Sequence, residues 1–263
     1  MPLDALCLGA LIHELNARVA GGRIEKVYQP DRDEVVLQIR GGQGACRLLL
    51  SASPSAPRLH FIEQNRENPA QPPMFCMLMR KHVQGAKIAA ITQPEAERIA
   101  VIELDTTDEM GVPVKKQILC EMMGKYSNII LKDENGRIID SIRRVDGDIS
   151  GKRQILPGLF YHMPPPQENK ISPFSVSSAG LAAAMRQAPA DLRLDKWLLS
   201  SFFGVSPLLC REISYRATGD TARTIGDMTE REHAQAVKVF GDVIGALQEH
   251  RTIPQMLYKT ENN

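Results

Sequence analysis

The sequence predicts an α+β protein, with a β-rich part followed by a helical part. Three observations carry that prediction. Short strand-like runs punctuated by glycine, proline, aspartate and serine fill the first portion of the chain. A proline cluster (Pro157, Pro164, Pro165, Pro166 and Pro173) then rules out regular helix or central strand. Beyond it, helix caps and 3.6-residue periodicity take over. A length of 263 residues allows one large or two modest domains, and the proline cluster places the division at 1–173 and 174–263.

From Leu3 to about Ala20 the chain reads as an amphipathic helix, with Leu8, Leu11, Ile12 and Leu15 on one side. Gly21 and Gly22 stop it. Strand-like runs follow at Arg23–Gln29, Glu34–Arg40, Cys46–Ser51 and Arg58–Glu63. The polar stretch Arg66–Pro73 is a loop. Pro73 opens a second helix, Met74–Val83, which Gly85 closes. A second β block spans Lys87–Arg144. Its clearest piece is a hairpin, because Asn135-Gly136 separates two apolar runs and both residues tolerate positive φ. Leu156–Pro173 is an ordered connector. Helices at Asp195–Phe203 and Pro207–Arg216 then flank a Gly204-Val205-Ser206 turn, with Ser206 as N-cap, in a helix-hairpin-helix or helix-two-turn-helix pattern. Thr229 and Glu232 form a capping box for a last helix to about His250, with Val237, Phe240, Ile244 and Leu247 as its apolar stripe.

Bulk composition narrows function little. Hydrophobic residues make up 43%, enough for a packed core, and the formal net charge is +1 from 32 basic and 31 acidic side chains. A polyanion site therefore has to come from local clustering of cations. Five scattered cysteines show neither a CxxC pair nor metal-ligand spacing, so they read as reduced and mostly buried thiols. No metal or other cofactor is expected. The N-terminus lacks a signal-peptide pattern, and no run reaches the ~20 apolar residues that cross a bilayer. The expectation is a cytoplasmic protein without a membrane partner.

Three clusters offer chemistry. Arg80-Lys81-His82 closes the second helix, where cations complement the helix dipole or contact phosphate. Glu97-Arg98 precedes a strand. It is either a solvated surface pair or an arginine fork held by a carboxylate for phosphate or a guanine edge. Glu121-Met122-Met123-Gly124-Lys125-Tyr126-Ser127-Asn128 combines charge, a stacking face and hydrogen-bonding groups around a glycine, the parts needed to grip folded RNA. Its other reading makes the methionines core filler and leaves Lys125 in water. The backbone N–H groups around Gly204 and Ser206 could also meet a phosphate, beside the plainer reading of an ordinary αα-hairpin.

Arg58-Leu59-His60, Phe75 to His82, Glu121 to Leu131, and Pro157-Gly158 with Tyr161, Pro164 and Pro165 occur in the order of the NFACT N-terminal domain signatures. The sequence resembles that family, closely over residues 1 to 173, with bacterial RqcH, eukaryotic NEMF and proteins once labelled fibronectin-binding among its members. The resemblance implies a β-rich N-terminal domain like that of DNA glycosylases. It also implies a ribosome-quality-control factor that binds obstructed large ribosomal subunits and recruits alanyl-tRNA for template-free alanine tailing. The ribosome makes the peptide bonds, so no enzyme activity, small-molecule substrate or cofactor is implied. The implied tRNA-binding residues are Glu97, Arg98, Glu121, Met122, Met123 and Lys125, with Arg80, Lys81, Gly204 and Ser206 as phosphate contacts. The family usually has Asp where Glu97 stands and commonly Arg where Lys125 stands. Charge sign is kept, but the extra methylene and the lost fork bear on tRNA selectivity. The family's coiled coil and C-terminal domain have no counterpart here, so a truncated chain is expected.

Two rivals remain. Fold analogy points to formamidopyrimidine-DNA glycosylases, whose nucleophile is an N-terminal proline amine. Pro2 is followed here by Leu3 and Asp4 rather than Glu, and it reads as a helix N-terminal proline. A surface adhesin is the other rival, and the missing signal peptide argues against it.

Overall fold

The computed structural model describes residues 3–253, apart from 43, 65, 150–152, 166 and 168. Pro2 and Pro166 lie outside the described residues, as does everything beyond 253. The chain forms two compact units, Met1–Lys170 and Ile171–Asn263.

The first unit is one antiparallel sheet of nine described strands with two helices on its inner face. Helix α1 (Ala5–Val19) starts where Asp4 Oδ1 accepts from the Cys7 N–H at 2.7 Å. Strands β1 (Arg23–Asp31), β2 (Glu34–Gly41), β3 (Gly44–Ser51) and β4 (Arg58–Phe61) follow, then α2 (Met74–Val83). Next come β5 (Lys87–Thr92), β6 (Ile99–Thr107), β7 (Pro113–Glu121), β8 (Asn128–Asp133) and β9 (Ile138–Ser141). The spatial order is β4-β3-β2-β1-β5-β6-β7-β8-β9.

The two β blocks read from the sequence are therefore one sheet. Their junction is short: β1 and β5 are in register at Arg23 and Lys87, and four backbone hydrogen bonds between residues 21–24 and 85–88 flank that pair. Beyond that pair the strands diverge. The Val27 carbonyl takes its partners from α2 instead, namely Arg80 Nε at 2.9 Å and Cys76 Sγ at 3.7 Å. The sheet curls far enough for its distant parts to touch. Arg143, just past β9, donates through Nη2 to Asp33 in the β1–β2 turn at 2.8 Å.

One core serves both helices and both halves of the sheet. Leu8, Ile12 and Leu15 of α1 and Phe75 and Met79 of α2 pack on Leu37, Leu50, Ile102, Ile118 and Leu131. Each such side chain stabilises the fold by about 1.5–3 kcal/mol. A smaller cluster (Ile99, Val101, Leu119, Ile130, Ile138 and Ile155) covers the outer face of β6–β9. On the outer face of β1–β4, Tyr28, Val36, Leu49 and His60 form one cross-strand row, with Val36 and Leu49 buried.

The β8–β9 hairpin differs from the expected tight turn. Gly136 has φ +84°, but Asn135 is not among the positive-φ residues. The Asp133 N–H instead bonds the Arg137 carbonyl across a three-residue loop, and Asp133 Oδ1 accepts from the Arg137 N–H. One left-handed glycine thus closes a longer turn. The start of the proline-rich connector shields the β9 edge, with Gly158 N–H to the Ile138 carbonyl and Ile138 N–H to the Leu159 carbonyl, both at 2.8 Å.

The second unit holds α3 (Ser178–Arg186), α4 (Leu194–Ser201), α5 (Pro207–Thr218) and α6 (Glu230–Gln248). Thr229 and Glu232 make both bonds of the capping box at the start of α6. Its buried residues are Ala236, Val239, Phe240 and Ile244, so the apolar stripe is rotated from the expected one and Val237 is half-buried. Phe202, between α4 and α5, stacks on Phe240 at 4.8 Å. Among the described residues no helix is long and apolar enough to cross a membrane, and no cluster of His, Cys, Asp and Glu could hold a metal. The five cysteines form no disulfide among the described residues. Cys76, Cys120 and Cys210 are buried, whereas Cys7 is exposed, contrary to a reading of mostly buried thiols for that position.

Candidate nucleic-acid interface

The β6–β7 register pairs Ile99 with Glu121, which brings the segments before β6 and after β7 to the same end of the sheet. The Met122 N–H joins them directly by donating to the Arg98 carbonyl at 2.8 Å. Glu97-Arg98 and the Glu121–Asn128 motif, 23 residues apart at their nearest, thus form a single rim.

The Glu97–Arg98 side of the rim rests on a turn. The Glu97 N–H bonds the Pro94 carbonyl at 3.0 Å, and Ala96 takes φ +48°. Gln93 Nε2 ties this turn to α1 by donating to the carbonyls of Glu97 and Ala5, each at 2.7 Å. Both Glu97 and Arg98 are half-buried. Burial pushes the Glu97 carboxyl above its ordinary range, and the Arg98 charge partly offsets that.

The Glu121–Asn128 motif divides into scaffold and surface. Glu121 is fully buried, and its carboxylate accepts from Arg153 Nη1 and Nη2 at 2.9 and 2.6 Å and from the Tyr161 hydroxyl at 2.8 Å. Burial, then the Glu121 charge, pushes the Tyr161 hydroxyl well above its usual range, so it stays a donor. Met122 is 1% exposed and belongs to the main core. Neither residue reaches solvent, so direct RNA contact by Glu121 and Met122 is corrected to a supporting role. Ser127 and Asn128 are also buried. Ser127 Oγ accepts from the Met123 N–H at 2.8 Å, and Asn128 Nδ2 donates to the Arg143 carbonyl at 2.7 Å.

The surface portion is a single 3-10 turn, Gly124–Tyr126. Gly124 sits at φ +59°, which a side chain would strain. Met123 is half-buried, while Lys125 and Tyr126 are exposed and pair with each other, the ammonium 4.9 Å from the ring centroid. Arg143 holds the turn from behind. Its Nη1 donates to the carbonyls of Lys125 and Ser127, both at 3.1 Å, while Nη2 reaches Asp33. Sequence reasoning missed Arg143 and Arg153. Lys125, Ser127, Asp33 and Glu121, which their guanidinium Nη atoms hold, lie 16 to 110 residues away, and no local pattern marks them.

Arg80 and Lys81 lie elsewhere. Arg80 donates to Val27, and Lys81 pairs with Glu109 at 2.6 Å near the β6–β7 turn, at the opposite end of the strands. Beside them His82 Nδ1 lies 3.2 Å from Lys116 Nζ, and burial followed by the Lys116 charge lowers the imidazole pKa. In the second unit, Gly204 has φ +78° and Ser206 Oγ accepts from the Leu209 N–H at 3.2 Å. Pro207 has no N–H, so the turn offers a phosphate fewer donors than an open helix N-terminus.

A family model described as NFACT N-terminal and middle domains matches residues 4–263. Among curated relatives, the chain is 39% identical over 218 residues to the Rqc2 homolog RqcH of Bacillus subtilis, covering 82% of this chain and 38% of that protein. It is 26% identical over 136 residues to the mouse ribosome quality control complex subunit NEMF, covering 52% of this chain and 12% of that one. Among solved structures, the N-terminal part of a fibronectin/fibrinogen-binding protein from Streptococcus suis matches with TM-score 0.78 and 31% identity. That match covers 92% of this chain and 84% of the other. The chain spans 38% of the length of the bacterial RqcH it matches.

Proposed function

Because the chain belongs to the NFACT family, we propose that it is the tRNA-gripping portion of a ribosome quality-control factor. In this reading the full protein binds obstructed large ribosomal subunits and recruits alanyl-tRNA for template-free alanine tailing of stalled chains. The chain does no bond-making itself, and its work is positioning.

One observation carries the reading. Lys125 and Tyr126 stand exposed on a turn fixed by Arg143, in a segment that the Met122 N–H ties to the backbone of half-buried Arg98. A cation and an aromatic face presented on a rigid turn suit structured RNA, where phosphate attraction and stacking act together. Arg98 makes no hydrogen bond or ion pair through its side chain to another described residue beyond the attraction of Glu97, so its fork is available to a phosphate or base edge. Glu121 and Met122 serve by support: Met122 fixes the backbone at Arg98, and Glu121 anchors the connector through Arg153 and Tyr161.

Replacing Glu97 and Arg98 together by alanine tests this. The expected result is loss of most tRNA affinity with the melting temperature nearly unchanged. Unchanged affinity would remove the rim from the function.

A further inference from the structure

A second feature lies on the outer face of β1–β3, where a cleft of about 250 Å³ opens under the segment that follows β4. Tyr28, Ile62, Arg47, Arg66, Gln64 and Asn68 are among the residues that line it. Among the described residues no carboxylate lines it.

The charged residues of the lining are Arg47 and Arg66, while Glu63 and Glu67 of the same segment do not line the cleft. Buried Glu34 is shared by two arginines, Arg58 through Nη2 at 2.9 Å and Arg66 through Nη1. One carboxylate between two guanidinium groups leaves a net positive charge on the cluster. Arg47 adds another: its Nη1 donates to the Glu63 carbonyl at 3.2 Å, a neutral partner that holds the side chain without cancelling its charge. Arg80 approaches from the divergent edge of β1, with its guanidinium 6.0 Å from the Tyr28 ring centroid. It is fixed there by the Val27 carbonyl. An aromatic wall flanked by anchored guanidinium groups and amide donors, with no acid facing it, favours an anion that carries a flat ring.

We infer that this cleft binds a nucleoside phosphate, with the base against Tyr28 and the phosphate on Arg47 and Arg66. The size admits one such unit and not a folded partner. The same chemistry is met in a free nucleotide and in one residue of an RNA strand. The inference does not depend on the rim, whose residues line no part of the cleft.

The test is an NMR titration of the 15N-labelled chain with adenosine 5′-monophosphate, adenosine, a single-stranded tetra-adenylate and an acidic tetrapeptide. The monophosphate or the tetra-adenylate should shift the amides of Tyr28, Arg47 and the segment from Ile62 to Asn68, with adenosine weaker, while the Gly124–Ser127 amides stay still with the monophosphate. Tighter binding of the tetra-adenylate assigns the site to RNA, and tighter binding of the monophosphate assigns it to a free nucleotide. Arg47→Gln should weaken the better ligand about tenfold, whereas Lys238→Gln, at an exposed position on α6 that belongs to neither site, changes it less than about twofold. Absence of shifts with both nucleotide probes, equal shifts with the acidic peptide, or an unweakened R47Q variant overturns the inference. The titration of the unaltered chain decides by itself if the variant fails to fold.

Discussion

Truncating Glu121 to alanine removes, in one step, the acceptor of three hydrogen bonds from Arg153 and Tyr161. The Glu121 side chain is 0% exposed and that of Arg153 only 15%, so solvent does little to compensate the arginine left behind. Stranding one partner of a buried ion pair costs about 3–5 kcal/mol. For a protein of this size each kcal/mol lowers the melting temperature by about 2–4 °C, so the variant should melt roughly 6–20 °C below the parent. Circular dichroism melts and urea titrations measure this, with an unchanged urea m-value confirming that stability alone has altered. The double variant Glu121→Ala with Arg153→Met should recover part of the loss, because an apolar pair strands no charge. A fall under about 1 kcal/mol, or a double variant no better than the single one, would refute the assignment of Glu121 as a buried anchor.

Two further outcomes follow from the same geometry. Arg143→Lys keeps the charge but cannot span two carbonyls and Asp33; it should cost about 2 kcal/mol in urea unfolding and weaken tRNA binding by loosening the Lys125 turn. Because burial raises the Glu97 carboxyl, the folded chain holds that proton more tightly than the unfolded one. Stability from this group is then present at low pH and is lost as pH rises from the free carboxylate value through the raised folded one. Glu97→Gln should flatten that decline in melts recorded across the acid range.

Much of the fold was legible because its signals are local. Helix α2 runs over Met74–Val83 as Pro73 and Gly85 mark it, and the capping box of α6 sits where Thr229 and Glu232 place it. The union of the two β blocks was not legible, since it is a short backbone pairing around Arg23 and Lys87, 64 positions apart, with no local pattern to mark it. The Asn135-Gly136 signal announced a hairpin correctly, but the loop is longer than the dipeptide suggests, because Asp133 caps it from the strand end. At the site, the motif splits by depth between its two readings, one for the core and one for the surface. Glu121 looks like surface in sequence only because its counter-charge arrives from Arg153, 32 residues on. Lys125 and Tyr126, which lack such distant partners to draw them inward, remain at the surface as their polarity suggests.

The rim is probed most directly by how tRNA affinity varies with salt. Each cation that neutralises a phosphate contributes about one to the slope of log affinity against log salt. With Lys125→Gln and with Arg98→Gln the slope should become shallower by about one each, while Glu121→Gln, a residue sealed from solvent, should leave it alone. Slopes identical to the parent's for both cation variants would mean that no phosphate rests on this rim, and the tRNA-gripping assignment would fall with it.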